Sequence, residues 1–278
     1  MKYLFGTWHR DDQPLTAAEA ANICEQAELR RKAMADLPLD RLLGIVGRMG
    51  EKWRSPGYAL RQEAEELLPA STGFSPEMVR LGLDHLGTVL LDPESLRRKL
   101  LTEGRGWMRG EPGRYDPVTA TELSWSPLGV VLHVLSGNVF LVGASSLLEG
   151  LLTGNVNLLK MSSAERVFLP RLVDSLRECD PAGVLSSSLA VVEYPSADRE
   201  VIAAFSQRVD GLVVWGGEEA VAAYRRDLPA RTRLVVFGPK LSLAVVTREG
   251  MAGQGPGGSG LAKVAEALAK EISIWDQQ

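Results

Sequence analysis

Apolar residues in the first part of the chain recur mostly at the three- and four-residue spacing that is typical of amphipathic helices. Thr16 and Glu19 form a T-x-x-E capping box, which predicts a helix that starts there and runs to about Met34. A second helix is predicted after Pro38. The run Ser75-Pro76-Glu77 is a good start for another, because it offers a capping hydroxyl and then a proline in the first turn. The beginning of the chain is therefore expected to be helical.

The pattern changes at residue 119. Residues 96–115, before the change, are rich in arginine and glycine and are expected to be irregular. Beyond it, apolar runs of strand length alternate with helical runs. The predicted strands cover residues 129–135, 156–160, 189–193, 211–215, 234–237 and 243–246. The predicted helices cover residues 139–152, 165–177, 198–208 and 218–226, with a last one from residue 261. This alternation predicts an α/β fold with a doubly wound, mostly parallel, Rossmann-like sheet over residues 119–278, and a helical N-terminal region, residues 1–118, packed on it.

Composition and charge exclude several classes of function. The formal net charge is -4, so a general basic surface for nucleic acid is not expected. The longest apolar run, residues 139–152, contains Gly143 and Glu149 and is too short and too polar to span a membrane. The two cysteines, Cys24 and Cys179, lie in no C-x-x-C or Cys/His cluster. That argues against a disulfide framework or a zinc site and fits a reducing, cytoplasmic location.

The residues that follow the predicted strands are the candidates for ligand binding, because an open parallel sheet binds ligands at the carboxyl ends of its strands. Four short sets there are small, polar or glycine-rich: Ser136-Gly137-Asn138, Lys160-Met161-Ser162-Ser163, Trp215-Gly216-Gly217 and Gly238-Pro239-Lys240. Glycine lets a backbone approach a phosphate, and the next helix offers free N–H groups. These sets favour a nucleotide-binding domain, although no G-x-G-x-x-G motif occurs. The glycine-rich stretch 250–260 lacks the G-K-[S/T] ending of a phosphate loop and is expected to be a surface loop.

Several of these segments resemble, in the same order, segments of the aldehyde dehydrogenase superfamily. Residues 126–131 (SPLGVV) and 137–140 (GNVF) resemble its stretch PxGVV…WNFP, and residues 154–163 (GNVNLLKMSS) align without a gap to GNAVVLKPSE. Within that superfamily, three segments resemble the long-chain acyl-CoA reductases, the LuxC family of bacterial bioluminescence. These are residues 214–218 (VWGGE), 237–242 (FGPKLS) and 275–278 (WDQQ). The resemblance covers about residue 119 to the end and implies the fold of the aldehyde dehydrogenase cofactor domain.

The resemblance implies an oxidoreductase that reduces a fatty acyl-CoA, or a similar acyl thioester, to an aldehyde with a nicotinamide cofactor. In the family a cysteine thiolate attacks the thioester, and this cysteine follows the D-Q-Q element within a few residues. Neither Cys24 nor Cys179 matches that position. We therefore expect the chain to be an N-terminal fragment that lacks the nucleophile and is inactive alone. The full protein is expected to form a homo-oligomer or to receive acyl groups from a partner enzyme.

The same resemblance implies roles for individual residues. Asn138 matches the asparagine whose side-chain amide stabilises the oxyanion, although an asparagine there also suits a helix N-cap. Lys160 matches the lysine that bonds the adenosine ribose, with a plain charged residue at a strand end as the alternative. The position of Ser163 is often glutamate in NAD-preferring relatives, and that carboxylate would repel a 2′-phosphate. Ser163, with Ser162 beside it, therefore implies NADPH as the cofactor, with NADH as the alternative.

The remaining candidate positions come from the neighbouring segments. Gly216 and Gly217 match the turn that lies under the pyrophosphate of the cofactor. Gly238 matches a position on the nicotinamide side. For each of them the alternative is a plain turn without a role in binding. The predicted cofactor site also includes Leu135, Ser136, Gly137 and Trp215. His133 lies inside an apolar strand and is expected to be a hydrogen-bonded core histidine. Val236 stands where aldehyde-oxidising members carry the glutamate that activates water, so hydrolysis of an acyl-enzyme is not expected.

Two other functions stay open at the level of the sequence. One is a non-catalytic nucleotide-binding or assembly module that never had the cysteine half. The other is a different acylating reductase on the same fold, such as a glutamyl-phosphate reductase. The Trp215-Gly216-Gly217 segment and the terminal D-Q-Q element speak against the latter.

Overall fold

The computed structural model describes residues 1–10, 13–104, 111, 113–226, 228–238, 243–247 and 259–277. The strands are β1 (Lys2–Leu4), β2 (Thr7–His9), β3 (Arg114–Asp116), β4 (Thr121–Leu123), β5 (Val130–Val134), β6 (Val156–Lys160), β7 (Leu189–Val192), β8 (Gly211–Trp215) and β9 (Arg233–Phe237). The helices are α1 (Ala17–Glu28), α2 (Arg31–Ala35), α3 (Leu39–Arg54), α4 (Ala59–Thr72), α5 (Pro76–His85), α6 (Pro93–Glu103), α7 (Val142–Leu152), α8 (Phe168–Cys179), α9 (Arg199–Ser206), α10 (Glu218–Arg225) and α11 (Ser259–Ser273). A π-helical turn (Leu86–Leu90) and two 3₁₀ turns (Ser186–Ser188 and Ile274–Gln277) complete them.

In the described residues the central sheet has seven strands, in the order β2-β1-β7-β6-β5-β8-β9. The five strands from β7 to β9 pair in parallel, which confirms the predicted doubly wound, mostly parallel α/β fold. The strands β5, β6 and β7 are fully buried, and most of their residues are apolar, as expected for strands that helices cover on both faces of a sheet. The chain leaves β5 towards β6 on one side and returns to β8 on the other, so the order reverses between β5 and β8.

The N-terminal hairpin of β1 and β2 was not expected from the sequence. Tyr3 and Leu4 pair antiparallel with Val191 and Ala190 of β7 and so extend the sheet at that edge. Three-residue strands give too short an alternation of apolar and polar positions to be recognised. The division of the chain at residue 118 stays a prediction, although the hairpin shows that the first residues add to the sheet of the following region.

The helical N-terminal region shows where local signals succeed and fail. The capping box at Thr16 is confirmed, because the Glu19 N–H donates to Thr16 Oγ1 and the Thr16 N–H to Glu19 Oε2. The predicted single run to Met34 is divided instead, with α1 ending before Leu29 and α2 starting at Arg31. The prediction that residues 96–115 are irregular was wrong at both ends of the segment, because α6 covers Pro93–Glu103 and β3 begins at Arg114. The helix α6 is capped at its start by Asp92, whose carboxylate accepts the Ser95 N–H.

The end of the chain also departs from the expectation. Residues 243–246 form no strand, and Leu243 and Val245 are exposed. In the part of the chain that is described, β9 is the last strand on that side of the sheet, so this apolar run has no paired neighbour. The predicted surface loop lies, for residues 250–258, outside the described residues, and the predicted last helix is α11.

The N-terminal helices pack on the sheet domain through specific bonds as well as apolar contacts. The Trp53 indole in α3 donates to Ser175 Oγ in α8 at 2.9 Å, and both residues are buried. The Arg48 guanidinium donates to the Cys179 carbonyl at 2.8 Å. Among the described helices, none is both long and apolar enough to cross a bilayer.

Candidate functional site

A cleft opens at the carboxyl ends of β5 and β8, where the strand order reverses. In doubly wound sheets this is the place where ligands bind. Its volume is about 690 Å³. We call it the switch-point cleft; it is lined by Ser136, Gly137, Asn138, Val139, Val142, Trp215, Gly216, Gly217, Phe237 and Gly238. Seven of the predicted site residues therefore meet here, although they come from three segments of the sequence.

Asn138 lies exposed at this cleft, between the end of β5 and the start of α7. Its side chain makes no hydrogen bond with the residues that the structure describes. The alternative role as a helix N-cap is wrong, because α7 begins four residues later, at Val142, and its cap residue is Leu141, which makes no side-chain cap bond. The amide of Asn138 is therefore available to a ligand.

Trp215 and Phe237, the last residues of β8 and β9, form an aromatic wall of the switch-point cleft. Their rings stack 3.9 Å apart between centroids, with 10° between the planes. The Trp215 indole N–H donates to Ser146 Oγ of α7 at 3.0 Å. The Gly216 N–H donates to the Phe237 carbonyl at 3.3 Å, so this N–H serves the turn.

Gly217 is the N-cap of α10 and faces open space, since a Cβ placed on it would meet nothing within 4 Å. The local fold therefore leaves room for a ligand at Gly217. Glu218 and Glu219 follow in the first turn, exposed. They stabilise the positive end of the helix dipole but also place negative charge beside the predicted pyrophosphate position. Gly238 lies at the rim, whereas Pro239 and Lys240 fall outside the described residues.

A second cleft, of about 620 Å³, lies beyond the end of β6. We call it the Lys160 cleft; it is lined by Met1, Lys2, Gln13, Pro14, Lys160, Ser163, Arg166, Glu193, Tyr194, Pro195 and Ser196. Sequence reasoning found Lys160 and Ser163 but missed the wall that the N-terminal hairpin provides. It also missed Arg166 and Glu193, which form an exposed ion pair at this cleft. The sequence offered one signal for these residues, namely that Arg166 is a charged residue three positions after Ser163.

Lys160 is a buried cation whose surroundings, as far as the structure describes them, contain no carboxylate partner. The residue is 6% exposed, and its ammonium reaches Ser196 Oγ at 3.4 Å and lies 5.7 Å from the Tyr194 ring centroid. No carboxylate lies within ion-pairing distance of it among the described residues. Burial lowers the pKa of Lys160, while the charge of Glu193 works in the opposite direction. Because an uncompensated buried charge is costly, such a lysine indicates a site for an anionic or strongly hydrogen-bonding ligand.

The two clefts adjoin at the turns after β5 and β6. A Cβ on Gly137 would lie 2.6 Å from Ser162 Oγ and 2.7 Å from Ala164 Cβ, so the two turns pack closely only because residue 137 is glycine. Ser162 Oγ accepts the Ala164 N–H at 3.2 Å, which shapes its own turn. Leu135 is buried and donates its N–H to the Lys160 carbonyl at 3.1 Å, so it supports the site rather than lining either cleft.

The final turn of the chain lies close to the Asn138 segment. Trp275 packs on Phe140, two residues after Asn138, with 5.9 Å between ring centroids. It also contacts Phe74 of the N-terminal region at 5.7 Å. The turn Ile274–Gln277, which holds most of the terminal W-D-Q-Q element, is thereby anchored near the switch-point cleft.

Neither cysteine has the properties of a nucleophile. Cys24 and Cys179 are buried. Burial raises the pKa of Cys24 to about 12 and also raises that of Cys179. A thiol that stays protonated at neutral pH attacks carbon poorly. Within the described residues there is also no cluster of three or more His, Cys, Asp or Glu side chains that would hold a metal ion.

A family model described as acyl-CoA reductase (LuxC) matches residues 34–278. The chain belongs to the acyl-CoA reductase (LuxC) family. The match includes all predicted site residues and leaves out β1, β2 and α1. The chain is also 27% identical over 244 residues to the long-chain acyl-protein thioester reductase of Vibrio harveyi, covering 87% of this chain and 49% of that protein. It thus spans about half the length of the curated relatives it matches.

Solved structures of aldehyde dehydrogenases share the fold of this family member. Betaine aldehyde dehydrogenase from Staphylococcus aureus, in complex with NAD⁺, superposes with a TM-score of 0.65 over 84% of this chain and 48% of its own, at 15% identity. Glyceraldehyde-3-phosphate dehydrogenase from Methanocaldococcus jannaschii, complexed with NADP, superposes with a TM-score of 0.62 over 85% of this chain and 50% of its own, at 14% identity. The expected aldehyde dehydrogenase type of sheet is thereby confirmed.

Proposed function

We propose that this chain forms the NADPH-binding part of a reductase that converts a fatty acyl thioester to an aldehyde. The observation that carries the proposal is Lys160, a buried cation that has no carboxylate partner within the described part of the chain and lies at the edge of a cleft in a LuxC-family chain. The substrate class is supported by relatives named long-chain acyl-protein thioester reductases. The substrate is thus an acyl group held as a thioester by CoA or by a partner protein.

The residues present fit a dinucleotide that spans both clefts. Lys160 would bond the adenosine ribose and, with Ser163, the 2′-phosphate, because an ammonium and a hydroxyl both donate to phosphate oxygens. The hydroxyl of Ser163 carries no negative charge to repel that phosphate, which supports NADPH over NADH. One structural neighbour is complexed with NADP and another with NAD⁺, so the proposed preference rests on Ser163 rather than on the fold.

The switch-point cleft would hold the nicotinamide half and the reacting thioester. The bound cofactor supplies hydride to the acyl carbon. Asn138 would donate its side-chain amide to the thioester oxygen as negative charge develops there, a role that its exposed and unbonded side chain supports. Val236 offers no carboxylate to activate water. A reductase gains from this absence, since hydrolysis would consume the thioester without forming aldehyde.

Titration of the 278-residue chain with NADPH and NADH tests the proposal, with energy transfer from tryptophan to the nicotinamide as the signal. NADPH should bind more tightly than NADH, or about equally. Ser163→Glu should weaken NADPH at least tenfold while sparing NADH, because it restores a carboxylate beside the 2′-phosphate. Ser124→Glu is the matched control, since Ser124 is an exposed serine that lines neither cleft. NADH binding tenfold tighter than NADPH to the unaltered chain would contradict the proposal.

A further inference from the structure

A continuous line of hydrogen bonds runs from Trp215, a half-buried residue of the switch-point cleft, into the buried interior of the protein. The Trp215 indole bonds Ser146 Oγ at 3.0 Å, and the same oxygen lies 2.7 Å from His133 Nδ1. On the other side of the ring, His133 Nε2 lies 3.0 Å from Asn157 Oδ1, and Asn157 Nδ2 donates to the Asn155 carbonyl at 2.8 Å. We call these four side chains, Trp215, Ser146, His133 and Asn157, the indole relay.

The direction of every bond in the indole relay follows from its two ends. Because the amide nitrogen of Asn157 donates to a carbonyl, its oxygen faces His133, so His133 Nε2 must carry the hydrogen. Burial lowers the pKa of His133 to about 4, so the ring is neutral and Nδ1 is an acceptor. The Ser146 hydroxyl therefore donates to Nδ1 and keeps a lone pair for the Trp215 N–H. The donors therefore all point the same way along the indole relay: Trp215 donates to Ser146, Ser146 to His133, and His133 to Asn157.

The packing around the indole relay excludes other arrangements. His133, Ser146 and Asn157 are each at most 2% exposed and come from β5, α7 and β6. Gly150 of α7 leaves the space that the Asn157 amide occupies, since a Cβ there would overlap Asn157 Oδ1 and lie 3.0 Å from His133 Nε2. A buried polar network of this kind fixes side-chain orientation when all its members are satisfied.

We propose that His133 and Ser146 are positioning residues that hold the Trp215 indole in its stacked orientation on Phe237, and so set the aromatic wall on which the cofactor binds. The inference rests on the proposed function, because it assigns the wall to the nicotinamide cofactor. Trp215 is half-buried, with its N–H directed inward to Ser146 and its ring at the cleft. Without an acceptor at position 146 the N–H would be buried and unsatisfied, so the ring would turn to reach water and leave Phe237.

The first measurement follows the indole N–H itself, by solvent exchange in NMR spectra of chain labelled with ¹⁵N-tryptophan. The Trp215 signal is assigned by its loss in Trp215→Phe. In Ser146→Ala this N–H should exchange at least tenfold faster than in the unaltered chain. Ser175→Ala is the matched control, because it removes the serine acceptor of another buried indole, Trp53, at a distance from both clefts. An unchanged exchange rate of Trp215 in a folded Ser146→Ala chain would overturn the positioning role.

The second measurement is NADPH affinity in the same variants. Ser146→Ala and His133→Leu should weaken it roughly threefold to tenfold, and Ser175→Ala should leave it unchanged. His133→Gln should bind within about twofold of the unaltered chain, because a glutamine amide can donate to Asn157 and accept from Ser146. Equal affinity in all variants would overturn the link to cofactor binding. If the unaltered chain binds neither cofactor, the proposed function fails, and the exchange experiment still decides whether the indole relay holds Trp215.

Discussion

The indole of Trp215 stacks face to face on the phenyl ring of Phe237, at the paired ends of β8 and β9. No side chain of the outer strand β9 is fully buried, since Leu234 and Phe237 are half-buried and Val235 and Val236 are exposed. Phe237→Ala should therefore lower the free energy of unfolding by about 1 kcal/mol or more. It should also weaken NADPH binding, since the wall loses half its surface. Urea unfolding and cofactor titration measure the two effects, with Val235→Ala as the exposed control on the same strand. Unchanged stability and unchanged NADPH affinity in Phe237→Ala would contradict the role proposed for the stack.

We expect Lys160 to lower the stability of the folded chain while it contributes to NADPH binding. Lys160→Met keeps the length of the side chain but removes a buried charge for which the described residues offer no carboxylate partner. The free energy of unfolding should rise by about 1 kcal/mol, while NADPH affinity falls at least tenfold. Lys52→Met, which breaks the exposed pair with Glu178, should change stability by less and affinity not at all. A destabilised Lys160→Met chain that still binds NADPH would identify the lysine as purely structural.

The buried His133 predicts a specific dependence of stability on pH. Its pKa falls from 6.5 in the unfolded chain to about 4 in the folded one, so the unfolded state binds the extra proton between these values. Stability should therefore be fully present above pH 6.5 and decrease as the pH falls to about 4, by roughly 3 kcal/mol in total. The groups that face the ring, Ser146 and Asn157, do not titrate in this window. The difference in unfolding free energy between the chain and His133→Gln isolates the effect; a difference that is independent of pH would contradict it.

The cysteines should be inert in the folded chain. Cys24 and Cys179 are buried, and the pKa of each is raised. Dithionitrobenzoate should label neither within minutes at pH 7.5 and should label both in guanidinium chloride. For the same reason the chain alone should form no acyl-enzyme with a long-chain acyl-CoA, as mass spectrometry would show. A stable acyl adduct on either cysteine would contradict the assignment of both as structural residues.

Much of the fold could be predicted because its elements are locally specified. The capping signals at Thr16 and Ser75 mark helices correctly, and the apolar runs of β5 to β8 lie within one residue of their predicted bounds. What failed depended on tertiary context. The β1 strand is stable only because β7 offers an open edge, and residues 243–246 form no strand because none pairs with them among the described residues.

The candidate site could also be predicted where it depends on local sequence and not where it depends on tertiary contacts. Residues after the strands could be named from the parallel pattern alone, and Asn138 and Trp215 do meet in one cleft. The wall of the Lys160 cleft that comes from the hairpin could not be foreseen, since it depends on a long-range pairing of Tyr3 with Val191. The indole relay was equally hidden, because nothing in the local sequence connects Ser146 with Trp215.

The most direct test of the central claim is a crystal structure of the chain with NADPH bound. The account predicts one dinucleotide across both clefts, with its 2′-phosphate contacting Lys160 and Ser163 and its nicotinamide half in the switch-point cleft beside Asn138. An NADPH molecule bound elsewhere, or bound with its adenosine half away from Lys160, would contradict the claim that this chain is the NADPH-binding part of an acyl thioester reductase.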